Sequence, residues 1–212
     1  MIIGTLVQHG VLKTTEGKPE VTINYDPNHM PKKIDEEAIL DSSYYDSFDE
    51  ALEHGRDADV EDYKKHVDEV IKRFENERYV TLYFKSIKDE NTECFTLAKF
   101  RKKEIAGKIK YTYLTCNASE SNRNSPVIGT VQDNTEGQLT LSDFEQNVNI
   151  EPEKTRFVYG DSNSKEIYKL RVEGQEPTEI VPYKNFDEQW YFWYYENLEN
   201  DKAGSQLEVT FE

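Results

Sequence analysis

Tyr79-Val80-Thr81-Leu82-Tyr83-Phe84 is the run on which the fold turns. It is filled by β-branched and aromatic residues, which suit a pleated, half-buried surface. Strand patterns follow over residues 79–87, 93–102 and 108–116, separated by Lys88-Asp89-Glu90-Asn91 and by a turn at Gly107. Connections this short join antiparallel neighbours, so the stretch reads as a β meander.

Upstream of the meander, Ser47-Phe48-Asp49-Glu50 fits a capping box, and the helix it opens should stop at Gly55. A second helix is expected from Asp59 to about Asn76, because Val60, Tyr63, Val67, Val70, Ile71 and Phe74 follow helical spacing. A short helix is expected at 34–40. Before it come strands at 2–8 and 20–25 around the turn Thr14-Thr15-Glu16-Gly17-Lys18-Pro19, then a loop at 26–31.

Downstream, the polar residues 117–125 read as a linker or long loop. Strands are expected at 165–172, 179–183 and 207–211. Between the last two, Phe186-Asp187-Glu188-Gln189-Trp190-Tyr191-Phe192-Trp193-Tyr194-Tyr195 reads as a helix with Phe186, Trp190, Trp193, Tyr194 and Leu198 on one stripe. Tyr191, Phe192 and Tyr195 are left beside that stripe as a surplus, fit for an aromatic interface or a homodimer seam.

The opening of the chain recurs after the linker. Ile2-Ile3-Gly4-Thr5-Leu6-Val7-Gln8 resembles Val127-Ile128-Gly129-Thr130-Val131-Gln132, Thr15-Glu16-Gly17 resembles Thr135-Glu136-Gly137, and Arg78-Tyr79-Val80 resembles Arg156-Phe157-Val158. On this reading residues 127–132 are a strand and 133–139 a hairpin turn. The expected class is α+β with antiparallel sheets. It comprises a β module over 1–116 carrying an acidic two-helix insertion at about 30–77, and a second, related β module over 126–212 with the aromatic helix, packed separately or as one domain.

Charge narrows function more than any motif does. The 212 residues carry a net charge of −16, which argues against nucleic-acid binding through the bulk surface. The distribution is uneven. Residues 35–62 hold twelve acids against Arg56 alone, residues 63–125 carry +5, and residues 173–212 carry −8. Dense like charge repels itself and destabilises a compact state. One use that offsets this is a partner with a basic surface, which complementary charge attracts and orients. Asp41, Asp46, Asp49, Glu50, Glu53, Asp57, Asp59 and Asp62, with Tyr44 and Tyr45 as aromatic anchors, are the residues expected to bind it.

Catalysis finds no support in local motifs. His9, His29, His54 and His66 stand in no metal-ligand spacing, and GxSxG, Walker and GxGxxG patterns are lacking. No cofactor and no metal are expected. Cys94 and Cys116 fall in expected strands, where buried free thiols are ordinary. The first residues lack a basic start and an apolar run, and no stretch approaches the ~20 apolar residues of a membrane helix. These features give a cytoplasmic expectation. The function expected is a non-catalytic inhibitor that occupies a basic, nucleic-acid-binding surface of another protein, as nucleic-acid mimics and phage counter-defence proteins do. Alternatives are an antidote to a basic nuclease toxin, and an enzyme or ligand-binding protein with a pocket between the β modules.

Overall fold

The computed structural model describes Lys13–Thr15, Lys18–Glu20 and residues 39–212. The chain divides into two units, Met1–Ile39 and Leu40–Glu212. In the first, β1 (Lys13–Thr15) and β2 (Lys18–Glu20) pair antiparallel, with Thr15 opposite Lys18. They occupy the flanks of the expected turn. The strand at 2–8 and the loop at 26–31 lie outside the described residues, as does most of the strand at 20–25 and of the helix at 34–40.

The second unit is mixed α and β with antiparallel sheets. Helix α1 (Phe48–Gly55) precedes a four-stranded meander of β3 (Glu69–Glu75), β4 (Tyr79–Asp89), β5 (Thr92–Ile105) and β6 (Lys108–Asn122), hydrogen-bonded in that order. The β5–β6 turn is formed by Ala106 (φ 53°) and Gly107 (φ 78°), the pair of positive φ angles that a two-residue type I′ hairpin requires. Helix α2 (Val131–Phe144) follows, then β7 (Val158–Ser162), β8 (Leu170–Val172), β9 (Glu179–Asn185), β10 (Glu188–Tyr195) and β11 (Val209–Phe211). These strands form a sheet ordered β7-β10-β9 and a pair β11-β8.

Of the strand expected at 165–172 only β8 is extended, Lys165–Lys169 forming a 3₁₀ turn. Four larger expectations are also corrected, each for a physical reason. The second helix of the insertion is instead a 3₁₀ turn at Asp62–Lys65 followed by β3. A bulge between Val70 and Lys72 lets Ile71 and Phe74, three residues apart, face the same core, which imitates helical spacing. The aromatic helix is β10. Six consecutive aromatics satisfy any period, and alternation sends them to two cores. Tyr191, Trp193 and Tyr195 join Leu139, Val158, Leu170, Val172 and Val209 on one side, while Phe192 and Tyr194 join Phe74, Tyr83, Phe95, Leu97 and Phe157 on the other.

The other two corrections lie between the sheets. Residues 117–122 of the expected linker continue β6, with Asn117 opposite Leu97 and Asn122 opposite Thr92. Residues 131–139, expected as the end of a strand and a hairpin turn, belong to α2. Its N-cap Thr130 accepts from Asp133 N–H at 3.1 Å, and the Asp133 carboxylate accepts from Thr130 N–H at 3.1 Å. Thr135-Glu136-Gly137 is therefore helical, whereas its supposed counterpart begins with Thr15 in β1.

The layers follow from these alternations. One face of the meander meets the three-stranded sheet through Tyr83, Lys85, Phe95 and Leu97 and the turn at 146–149 through Thr81 and Lys99, and the other face of that sheet is covered by α2, β8 and β11. The opposite face of the meander carries α1, through Phe48 stacked near Phe100 and Tyr111 and through buried Ala51 and Leu52. A Cβ on Gly55 would stand 2.6 Å from that of Tyr113, so only glycine lets the helix end lie this close to β6. Residues 41–62 of the acidic segment thus form the outer layer on the meander's free face. Among the described residues no helix is long and apolar enough to cross a membrane.

Candidate functional site

The described part of the acidic block is anchored by α1, and its acids from Asp41 to Glu50 are consumed by that anchoring. Ser47 caps α1 by accepting from Glu50 N–H at 3.1 Å. The Glu50 carboxylate reaches back to Asp46 N–H at 3.0 Å, one residue beyond the N-cap N–H of a capping box. Asp49 accepts from Val67 N–H at 2.8 Å and so ties the helix to the chain entering β3. Asp41 pairs with Lys103 at 2.5 Å and Asp46 with Lys110 at 3.2 Å, which fastens residues 41–46 to the β5–β6 hairpin. Asp41, Asp46, Asp49 and Glu50 are therefore brought onto one outer surface, but with internal partners.

Tyr44 is turned inward, a correction to its reading as an anchor for a partner, and the backbone of Tyr45 is paired within the fold. Tyr44 is 6% exposed. Tyr45 exchanges two 2.8 Å backbone hydrogen bonds with Tyr111 and stacks on His54 with ring centroids 4.4 Å apart. The expected aromatic interface also turns inward: Tyr191, Phe192 and Tyr195 are 4%, 1% and 3% exposed, each inside the chain's own cores.

The second half of the block differs. Asp57 turns the chain by accepting from Val60 N–H at 3.1 Å through its backbone carbonyl, leaving its side chain uncommitted. Among the described residues no hydrogen bond or ion pair engages the carboxylates of Glu53, Asp57 or Asp59. Asp62 stands 3.4 Å from Lys65 with a side chain 91% exposed. The block's one base, Arg56, donates to the Lys64 carbonyl at 2.5 Å and forms no ion pair with them. Exposed Glu53, Asp59 and Asp62, with half-buried Asp57, thus form an acidic rim from the end of α1 to the 3₁₀ turn.

A neighbouring network escaped the sequence reading. Glu61 pairs with Lys88 at 2.5 Å and with Lys64 at 3.4 Å. Glu120 takes Lys64 at 3.0 Å and the Tyr63 hydroxyl at 2.8 Å. The Lys88 and Lys64 ammonium groups hold the Glu61 and Glu120 carboxyls, respectively, below the usual carboxylate range. The spacing Glu61-x-x-Lys64 was visible in sequence, whereas Lys88 and Glu120 come from distant strands.

No three His, Cys, Asp or Glu side chains among the described residues stand as a metal-binding group. A cavity of about 320 Å³ opens at the start of α2, lined by Thr130, Val131, Gln132, Glu166, Lys169 and Phe211, well outside the acidic block. Family models, curated proteins and solved structures yield no match to this chain.

Proposed function

We propose that this chain is a non-catalytic binding protein whose exposed acidic rim engages a basic surface on another protein, of the kind that otherwise holds nucleic acid. The observation that supports it most is the combination at Arg56 and its neighbours. The one cation of the block is turned onto a backbone carbonyl, while Glu53, Asp57 and Asp59 make no ion pair with it. Charges kept without internal partners suit electrostatic capture, which raises encounter rates and orients the partner. The rim replaces the ten-residue surface expected from sequence, because Asp41, Asp46, Asp49 and Glu50 already serve the fold.

The test is capture of partners from a native lysate on immobilised protein, with the variant E53K/D57K/D59K beside it. The wild-type protein should retain a basic nucleic-acid-binding protein that elutes at ~0.5 M salt, where exposed charges are screened. The triple variant, with an unchanged circular dichroism spectrum, should lose that protein. Equal retention by both would overturn the reading.

A further inference from the structure

Strand β7 carries the least expected electrostatics of the molecule. Asp161 is half-buried, and its carboxylate accepts from three neutral donors: the Tyr83 hydroxyl at 3.3 Å, the Tyr183 hydroxyl at 3.1 Å and the Gln138 amide at 2.8 Å. Those donors come from β4, β9 and α2. Two residues earlier, the Tyr159 hydroxyl donates to Glu145 at 2.5 Å and accepts from the Asn117 amide of β6 at 3.0 Å. Glu145 is the C-cap of α2. The two carboxyls therefore join α2 and β7 to both sheets.

Neither carboxylate has a cation. The titratable groups that face Asp161 are Tyr83 and Tyr183, and the one that faces Glu145 is Tyr159; among the described residues no Lys, Arg or His pairs with either. An ionised carboxylate removed from water needs a counter-charge or many donors to be tolerated. Asp161 has three donors and Glu145 has one. Desolvation raises both carboxyls above their ordinary range, against the pull of these hydrogen bonds. The mechanical setting suits movement, since β7 is an edge strand of its sheet, bonded to β10 alone.

We infer that Asp161 and Glu145 form a proton-sensitive latch, which holds α2 and β7 against the two sheets when the carboxyls are protonated and loosens them when both ionise. The sign follows from the geometry. Protonation removes a charge that the seam cannot neutralise, and a protonated Asp161 or Glu145 still hydrogen-bonds its tyrosine neighbours, whose hydroxyls both donate and accept. Latch strength is therefore full below the ordinary carboxylate range and is lost as pH climbs through the raised values.

Hydrogen exchange of the full chain, corrected for the intrinsic pH dependence of exchange, reads this directly. Between about pH 4.5 and about pH 8 the opening constant of α2 and β7 amides should rise roughly tenfold or more, while the β4–β5 centre changes little. D161N and D161N/E145Q should flatten the rise. The pair D57N/D59N, whose carboxylates make no hydrogen bond or ion pair among the described residues, removes the same charge as the double variant and should leave it intact. A flat wild-type profile needs no variant and would overturn the latch. So would an unchanged slope in a folded D161N/E145Q, or a slope abolished by D57N/D59N.

Discussion

Lys85 is 6% exposed, and its ammonium group lies 2.8 Å from Glu69, 3.9 Å from Glu93 and 3.3 Å from the Lys184 carbonyl. Glu93 is equally buried and accepts from the N–H of Phe186, which adopts φ 52° at the β9–β10 turn. This pair clamps the turn of the three-stranded sheet onto the meander. Removing one partner of a buried pair strands the other charge, which is worse than having neither. K85M should therefore lower stability by about 3 kcal/mol in urea unfolding, and adding E93Q should restore at least half of that. Additive losses in the double variant would show that the two side chains act separately. Arg156 does comparable work elsewhere, reaching Asp143 of α2 at 2.9 Å and the Asn200 carbonyl at 2.7 Å.

At the level of elements, α2 shows what a sequence can and cannot display. Its buried face is Thr135, Leu139 and Ser142, so no apolar stripe announces a helix. Its start is marked by Thr130-x-x-Asp133, a signal that the strand-and-hairpin reading passed over, and the reciprocal bonds of that box are present. T130A should cost about 1 kcal/mol in thermal or urea unfolding, against which an exposed control such as E136A on the same helix should lose less. Three of the four meander strands were read, β6 only as far as Cys116, because they are long and their turns are marked by Gly107 and by Asp89-Glu90-Asn91. β3 and β10 were misread for opposite reasons. In β3 a bulge brings residues three apart onto one face; in β10 unbroken aromatics erase periodicity altogether. Both lie where a strand contacts other layers on its faces, information that resides in the partner strands. The acidic surface was legible as composition, but its division into anchored and free acids was not. Lys103 for Asp41, Lys110 for Asp46 and Lys88 for Glu61 arrive from strands far along the chain.

For the whole molecule, the charge of −16 sets a conflict between stability and the proposed binding. Exposed ion pairs such as Asp41–Lys103 contribute at most about 1 kcal/mol each, and salt weakens them. Repulsion summed over an excess of sixteen acids acts everywhere at once and is also screened by salt. The two effects oppose each other as salt is added, and the imbalance of 42 acids to 26 bases decides in favour of repulsion. The melting temperature should accordingly rise between low salt and ~0.5 M sodium chloride. The acidic rim makes the same argument sharper. Reversing Glu53, Asp57 and Asp59 to lysine lifts the net charge by six without breaking any contact seen among the described residues. If those acids served solubility or the fold, the triple variant should melt at or below the wild-type temperature. If they are held for a partner at the expense of the folded state, the variant should melt a few degrees higher at low salt, about 1 kcal/mol for a chain of this size, and the gain should vanish at high salt. A stabilised variant that no longer captures its partner is the outcome the acidic rim predicts, and calorimetry of the two proteins at two salt concentrations is enough to see its first half.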